Sequence, residues 1–359
     1  MGSDKEIYDV VIVGGGPGGL SCARNLAGSG LSVLVLEKSP DVGMKICSGE
    51  ISSKVLPGEN PSKIFKGAQE WKTIHVGTEK GVVSRTYSRP YLWTVGRFEF
   101  ESYLRRAALV DQNIEIRFSE PVIGITDDHV QTIKGRYRYR NLVGADGSFS
   151  KVRGFLKLPM EHIVGYAFHY VVEEPSREFK VYFLPKIFTR GYGYMMSKNK
   201  GMTMIGGAMA GTDVQHKVLA PRVKEWVGRE FGLDISKHRC EGYKGNADYR
   251  GWRFRSKSGR VNTFLVGDAA GLLNPVTTEG IYYAITSGKG VALHLKGERQ
   301  GKEIMEKLES THRGQVLLFS IFHNPSLPFC WLVNWVFEDP SKGVRKAVFD
   351  YIFWKFFDS

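Results

Sequence analysis

Cysteine is scarce: Cys22, Cys47, Cys240 and Cys330 are the four in 359 residues, and none of them forms a C-x-x-C pair. A disulfide framework and a zinc site are therefore not expected, no residue is assigned to a metal, and a reducing cytoplasm fits best. Acidic residues are also in short supply, since 37 Asp and Glu face 50 Lys and Arg and leave a formal charge of +13. An anionic membrane, a phosphorylated substrate or nucleic acid would each answer to that excess, but the basic residues form no recognised nucleic-acid module. No signal peptide precedes the first apolar run. The charge-free stretch from Gly314 to Phe337 is long enough to span a bilayer, yet Asn324, Pro325, Pro328 and Asn334 interrupt it. It reads as a helix, a break and a second helix with an apolar face.

Glycine, by contrast, is placed with purpose. The apolar, β-branched run Val10 to Val13 reads as a buried strand and stops at Gly14-Gly15-Gly16-Pro17-Gly18-Gly19. Leu20 to Leu26 then has helical spacing, Gly28-Ser29-Gly30 ends it, and a second strand from Ser32 to Leu36 leads to Glu37, eighteen residues past Gly19. Strand, G-x-G-x-x-G, helix, strand and acid is the order of a dinucleotide site. Gly14 permits the tight turn, Gly16 lets backbone amides approach a pyrophosphate, Gly19 lets helix and sheet pack closely, and Glu37 meets the adenosine ribose. The motif does not separate FAD from NAD(P).

Three further blocks follow. "VGRFEFESYLRRAA" has Phe98, Tyr103, Leu104 and Ala107 at helical spacing behind Arg97; "YRNLVGADGSFSKVR" ends a strand in Asp146-Gly147; "NTFLVGDAAGLLNPVTTEGI" delivers Gly267-Asp268 after a strand and resumes as a helix near Gly280. In this order the blocks resemble the flavoprotein monooxygenase superfamily of the hydroxybenzoate hydroxylase type. That resemblance implies FAD, with the Asp268 carboxylate on the ribityl chain and the Asp146 block closing the FAD-binding sheet. Within the superfamily the chain is similar, over nearly its whole length, to the geranylgeranyl reductase family. "KICSGEIS" matches the family's cysteine-glycine signature, "YGYMMSK" matches Y-x-W-x-F-P-K at Tyr192 and Lys198, and "GDAAGLLNPVTTEGI" matches GDAAG…P-x-T-G-G-G-I. Tyr194, Met196 and Ser197 depart from the second pattern, at its tryptophan, phenylalanine and proline.

The resemblance implies cofactor contacts from Lys45, Gly49, Arg97, Asp146, Gly267, Asp268, Pro275, Gly280 and Ile281 in addition to the glycine turn. Cys47, Tyr192 and Lys198 become candidate catalytic groups, although a buried, inert thiol is the usual fate of such a cysteine. Period-two apolar spacing in "IVGYAFHYVV", "EFKVYFLP" and "GMTMIGGAM" argues an antiparallel sheet that walls a substrate cavity, with Phe168, Tyr170, Tyr182, Phe183 and Tyr194 as candidate substrate contacts. The expected fold is an α/β, Rossmann-type FAD domain (1–70, 94–160, 250–295) interwoven with an antiparallel substrate domain (71–93, 161–249). A helical, apolar C-terminal region (296–359) follows.

The reaction that the resemblance implies is saturation of isoprenoid C=C bonds in a prenyl diphosphate or prenylated glycerophospholipid, by hydride from reduced flavin and a proton. Ferredoxin, NAD(P)H and other reductants stay open as the electron source. The alternatives are a flavin-dependent aromatic hydroxylase and a membrane-associated electron-transfer flavoprotein. Arg250, Arg253, Arg255, Lys257 and Arg260 are either a headgroup site or a solvated strand edge. Phe319, Ile321, Phe322, Trp331, Trp335, Phe349, Phe353, Trp354 and Phe357, with Lys342, Arg345, Lys346 and Lys355, suit peripheral docking on the cytoplasmic membrane face or a cover for the substrate domain.

Overall fold

The computed structural model describes residues 7–159, 164–174, 176, 178–184, 186–188, 191–197, 201–211, 216–255, 262–322, 335–336, 338–341 and 343–350. Lys198, Lys257, Arg260, Lys342, the side chain of Phe322, and Trp331, Phe353, Trp354, Lys355 and Phe357 lie outside them.

The first strand, β1 (Tyr8–Val13), runs parallel to β2 (Val33–Leu36) on one side and to the end of the Arg136–Gly144 strand on the other. Ile114–Arg117 extends the parallel set beyond β2, and Asn262–Leu265 extends it beyond Arg136–Gly144. Val10, Val11, Ile12, Val33, Leu34 and Val35 are fully buried because both faces of this sheet are covered. Helix α1 (Pro17–Leu26) supplies the crossover between β1 and β2, starts on Pro17, and packs against the Ile281–Leu295 helix. An antiparallel appendage, Val122–Ile125 and His129–Thr132, pairs with the first half of the Arg136–Gly144 strand.

A second, seven-stranded sheet is built from Thr73–Gly77, Val82–Thr86, Val164–Val172, Lys180–Tyr182, Gly191–Ser197, Thr203–Gly211 and Arg239–Asn246. Its pairings are antiparallel except one, since Lys180–Tyr182 runs parallel to Thr73–Gly77 and joins two segments about a hundred residues apart. One face carries the His216–Phe231 helix; there Phe168, Tyr182, Phe188, Trp226 and Val227 form a core of their own. A small third sheet, Glu50–Ser52, Leu92–Thr94 and Gln69–Trp71, was not foreseen in the sequence.

The long Arg299–Phe322 helix starts in a charged segment and carries the first part of the charge-free stretch as its last turns. Among the described residues, no helix is long and apolar enough to cross a membrane. Phe319 and Phe349 are buried, and Trp335 packs beside Val336 and Phe349 with Arg345 4.7 Å from its ring centre. The described aromatics of this region therefore cover the protein rather than face outward.

Candidate functional site

Both large sheets border one cavity of about 1300 Å³. The parallel strands reach it with their C-terminal ends, at Val13, Leu36, Ala145 and Val266, where ligands collect in open α/β sheets. Gly14 has φ +106°, and a Cβ there would lie 2.4 Å from the Ala145 carbonyl oxygen, so only glycine makes this turn. At Gly16 a Cβ would meet nothing within 4 Å, which leaves the backbone bare toward the cavity. Gly19 packs against Gly14 instead and does not line the cavity. No side chain caps the N-terminus of α1, so its first amides are free to hold a pyrophosphate. Glu37 accepts from the Gly15 amide at 2.6 Å and the Ser39 amide at 2.8 Å, fixing the turn to the end of β2.

Asp268 is the meeting point of three elements. Its carboxylate takes the Lys45 ammonium at 3.1 Å, the Ser148 hydroxyl at 3.3 Å and the Tyr243 hydroxyl, while Lys45 also lies 4.3 Å from the Tyr243 ring centre. Burial, with Asp268 adding to it, holds the Tyr243 phenol well above its ordinary pKa. Arg97 opens the Arg97–Ala108 helix and pairs with Glu101, whose other oxygen accepts from the Gly43 amide at 2.6 Å. The same guanidinium lies against the half-buried Cys47 thiol, and the Gly49 amide reaches Cys47 Sγ at 3.3 Å. Gly49, at φ +82°, serves this turn, because a Cβ would strike the Val95 carbonyl at 2.2 Å.

Asp146 borders the cavity, but its oxygens are committed to Ser150 (2.5 Å) and to the Lys151 and Val152 amides (2.7 and 3.3 Å). Its role is to hold the turn and start the Lys151–Phe155 helix. Arg153, at the end of the same block, is fully buried and donates to the carbonyls of Pro159, Ala269 and Asp248, tying that block to the Asp268 block.

The Asn274–Gly280 loop forms the far wall. Asn274 closes it by accepting from the Val276 and Thr277 amides, and Gly280 and Ile281 start the next helix with no side-chain cap. Pro275 is buried behind the loop and does not touch the cavity. Thr278 sits at φ +54°, a β-branched residue in left-handed backbone, where the pattern P-x-T-G-G-G-I has glycine. Tyr192 holds it there, its hydroxyl donating to the Thr277 carbonyl and lying 3.2 Å from Thr278 Oγ1. Glu279 fills the second glycine position of that pattern and points a carboxyl at the cavity. Burial pushes it up to about 7. Glu50, on the same cavity, is also pushed up to about 7 by burial, with Glu279 adding to the shift and the Ser48 hydroxyl opposing it. Neither carboxyl was singled out in the sequence; Glu279 signalled itself by breaking the glycine pattern.

The second sheet divides the expected substrate contacts. Phe183, Tyr192 and Tyr194 border the cavity. Phe168, Tyr170 and Tyr182 do not: they project from the opposite face, Tyr182 with its ring 5.0 Å from Trp226 and Phe168 in the core beneath the His216–Phe231 helix. Strand alternation is the reason, since residues one apart in sequence face opposite ways. The cavity face carries Ala167 and His169 from Val164–Val172, and Glu241 and Tyr243 from Arg239–Asn246. Arg250, Arg253 and Arg255 are off the cavity; Arg250 pairs with Asp248 at 2.9 Å. Among the described residues no group of His, Cys, Asp and Glu is arranged to hold a metal.

Comparison with known proteins agrees with this geometry. Residues 12–75 match the model of an NAD(P)-binding Rossmann-like domain. A digeranylgeranylglycerophospholipid reductase of Thermoplasma acidophilum is 26% identical over 318 residues, 79% of this chain and 76% of that one. The protein CbrA of Escherichia coli (strain K12) is 27% identical over 314 residues, 79% and 82% of the two chains. Among solved structures, a geranylgeranyl bacteriochlorophyll reductase-like protein from Thermoplasma acidophilum superposes with a TM-score of 0.74 at 19% identity, over 96% of each chain. A p-nitrophenol 4-monooxygenase from Pseudomonas putida gives 0.67 at 19% identity, over 95% of this chain and 96% of its own. The bare glycine turn, the uncapped helix and the Asp268 cluster fit FAD as cofactor, and the chain is an FAD-dependent oxidoreductase similar in sequence to a protein named digeranylgeranylglycerophospholipid reductase.

Proposed function

We propose that the protein saturates isoprenoid double bonds of a prenyl diphosphate or prenylated glycerophospholipid. The observation that carries this reading is the continuity of the cavity: it passes from the glycine turn and Asp268 to a wall of Phe179, Val181, Phe183, Leu184, Met196 and Ala208. An isolated alkene has no polar handle, so a site that reduces it must align it against apolar side chains and keep water away. Reduced FAD, when bound, supplies hydride. This chain's residues would hold that cofactor through the Gly14–Gly19 turn, Glu37, Lys45 and Asp268. The Asn274–Ile281 loop, rigid through Asn274 and Tyr192, would place bare backbone amides of a helix start where negative charge collects. Cys47 and Arg97 also border the cavity.

The test is anaerobic. Protein reduced with dithionite should add mass in steps of two hydrogens to geranylgeranyl diphosphate or to a digeranylgeranyl glycerophospholipid. Untouched prenyl chains, together with aromatic-stimulated oxygen uptake driven by NAD(P)H, would favour hydroxylation, the chemistry named for the p-nitrophenol 4-monooxygenase neighbour. Peripheral docking on a membrane is the second part of the proposal and rests on Phe353, Trp354, Lys355 and Phe357. Flotation with anionic vesicles that is lost on removing residues 351–359 supports it. Equal flotation of both chains, or none, rejects it.

A further inference from the structure

A buried polar cluster runs across the cavity face of the second sheet. In the second sheet, Glu241 stands opposite His169, His169 opposite Gly206, and Gly206 opposite Tyr194, so four adjacent strands place these residues in one row on the cavity face. Neighbouring strands lie about 4.8 Å apart, so His169 and Tyr194, two strands apart, are separated by roughly twice that at the backbone. They meet nonetheless: His169 Nδ1 is 3.0 Å from the Tyr194 hydroxyl, and its Nε2 is 3.1 Å from Glu241 Oε2. Gly206 makes the meeting possible, because a Cβ there would come within 2.7 Å of His169 Cβ and 2.0 Å of the Phe168 carbonyl. Tyr194, His169 and Glu241 are 5%, 3% and 8% exposed.

The row has a direction. Arg239–Asn246 is the edge strand of the sheet, and Arg239, whose side chain is largely exposed, donates to the other oxygen of Glu241. The inner end is the Tyr194 ring, 6.3 Å from that of Tyr192, which clamps the Asn274–Ile281 loop. Tyr194 also occupies the tryptophan position of Y-x-W-x-F-P-K. An indole N–H only donates a hydrogen bond, whereas a phenol can give up its proton and accept another.

We propose that Tyr194, His169 and Glu241 form a proton relay from the sheet edge to the cavity, in which the Tyr194 hydroxyl protonates the substrate carbon. The proposal rests on the C=C-reducing reading. In the step, the Tyr194 O–H bond breaks and a C–H bond forms with the electron pair of the double bond, while the other carbon takes the hydride that reduced flavin provides. The His169 imidazolium, held by the Glu241 carboxylate, returns its Nδ1 proton to the phenolate; the neutral ring keeps its Nε2 proton, and rotation of the ring turns the vacated Nδ1 toward the Arg239 rim, where it takes a proton from solvent. Glu241 thus plays the part of a buried carboxylate that orients an imidazole and stabilises its charged form.

Two measurements on the FAD-loaded protein test this. With 15N-labelled histidine at one fixed pH, Glu241→Gln should move the Nε2 resonance of His169 and Tyr194→Phe its Nδ1 resonance. A His169 ring that responds to neither variant overturns the relay whatever the substrate is. In single turnover of dithionite-reduced protein with geranylgeranyl diphosphate, Tyr194→Phe should slow alkene reduction about 100-fold, the lower range for loss of a general acid, with FAD content and spectrum unchanged. A Tyr194→Phe protein as fast as the parent, or a Glu50→Gln protein that alone shows the loss, overturns the assignment. A parent protein that leaves every prenyl chain untouched fails the substrate reading, and the nitrogen resonances then decide the relay by themselves.

Discussion

The two large sheets reach the same cavity in different ways. The parallel sheet ends at it, so what faces the ligand is backbone and turn: Gly14 to Gly16 after β1, Glu37 after β2, Asp146 and Gly147 after Arg136–Gly144, and Gly267 and Asp268 after Asn262–Leu265. The seven-stranded sheet lies along the cavity, so what faces the ligand is every second side chain of several strands, from Ala167 and His169 to Glu241 and Tyr243. A site made from strand ends depends on turn geometry at a few glycines. A site made from a sheet face depends on register, and any slip of one residue exchanges its chemistry for core.

The sharpest contrast separates two glycines of one turn. Gly14→Ala, with its positive φ and a carbonyl 2.4 Å from the new Cβ, should cost on the order of 3 kcal/mol and deplete folded protein. Gly16→Ala meets no neighbour and should fold normally, yet retain less FAD because the methyl stands where the pyrophosphate approaches. Denaturation midpoints and flavin absorbance, measured on both, would break the comparison if the two variants behaved alike.

On the sheet, the corresponding contrast is one of parity. Tyr182→Ala removes a ring packed on Trp226 and should destabilise by about 3–5 kcal/mol with the cavity unchanged. Tyr192→Phe, on the cavity face, loses only hydrogen bonds to the Thr277 and Thr278 loop, about 1 kcal/mol of stability, and should show instead as slower turnover. Urea titration paired with steady-state rates reads both.

Asp268→Ala follows in size. It removes an acceptor beside Lys45, Ser148 and Tyr243 and should weaken FAD binding by about 1–3 kcal/mol, measured by flavin release on dilution. Unaltered retention would take Asp268 out of the cofactor site.

A further contrast is one of pH dependence. Glu279 and Glu50 hold their protons up to about 7 in the folded protein against the usual 4.5. The stability that these raised values contribute is fully present below about 4.5 and is lost as pH rises through about 7, because the unfolded chain ionises first. Glu279→Gln should therefore gain on the parent between pH 5 and pH 8 in denaturant titrations. A constant gap between the two proteins would mean that the carboxyl is not raised.

The strand-end half of the site was legible because each of its signals is local: a glycine turn after an apolar run, an acid at the end of β2, and Gly267-Asp268 before a helix. The face half was not, for a physical reason. Phe168 and His169 are adjacent in sequence, and nothing local says which of the two meets the His216–Phe231 helix and which the cavity. Aromatic character drew attention to Phe168, Tyr170 and Tyr182, while the polar residues of the other parity, His169 and Glu241, went unnoticed. They are 72 residues apart, and only the strand register brings them to 3.1 Å. Glu50 was hidden differently: it belongs to a three-residue strand in a small sheet that periodicity does not reveal.

Replacing a glycine by Glu279 in the loop also couples the cavity to the proton concentration of its surroundings. A carboxyl balanced near neutrality gains further affinity for a proton whenever negative charge enters beside it, and by reciprocity the anion is held more tightly when the proton is on. Occupation of this cavity by any anionic ligand is then proton uptake as well. The heat released on binding at neutral pH should change with the ionisation enthalpy of the buffer, and the ligand's grip should slacken as the medium turns alkaline.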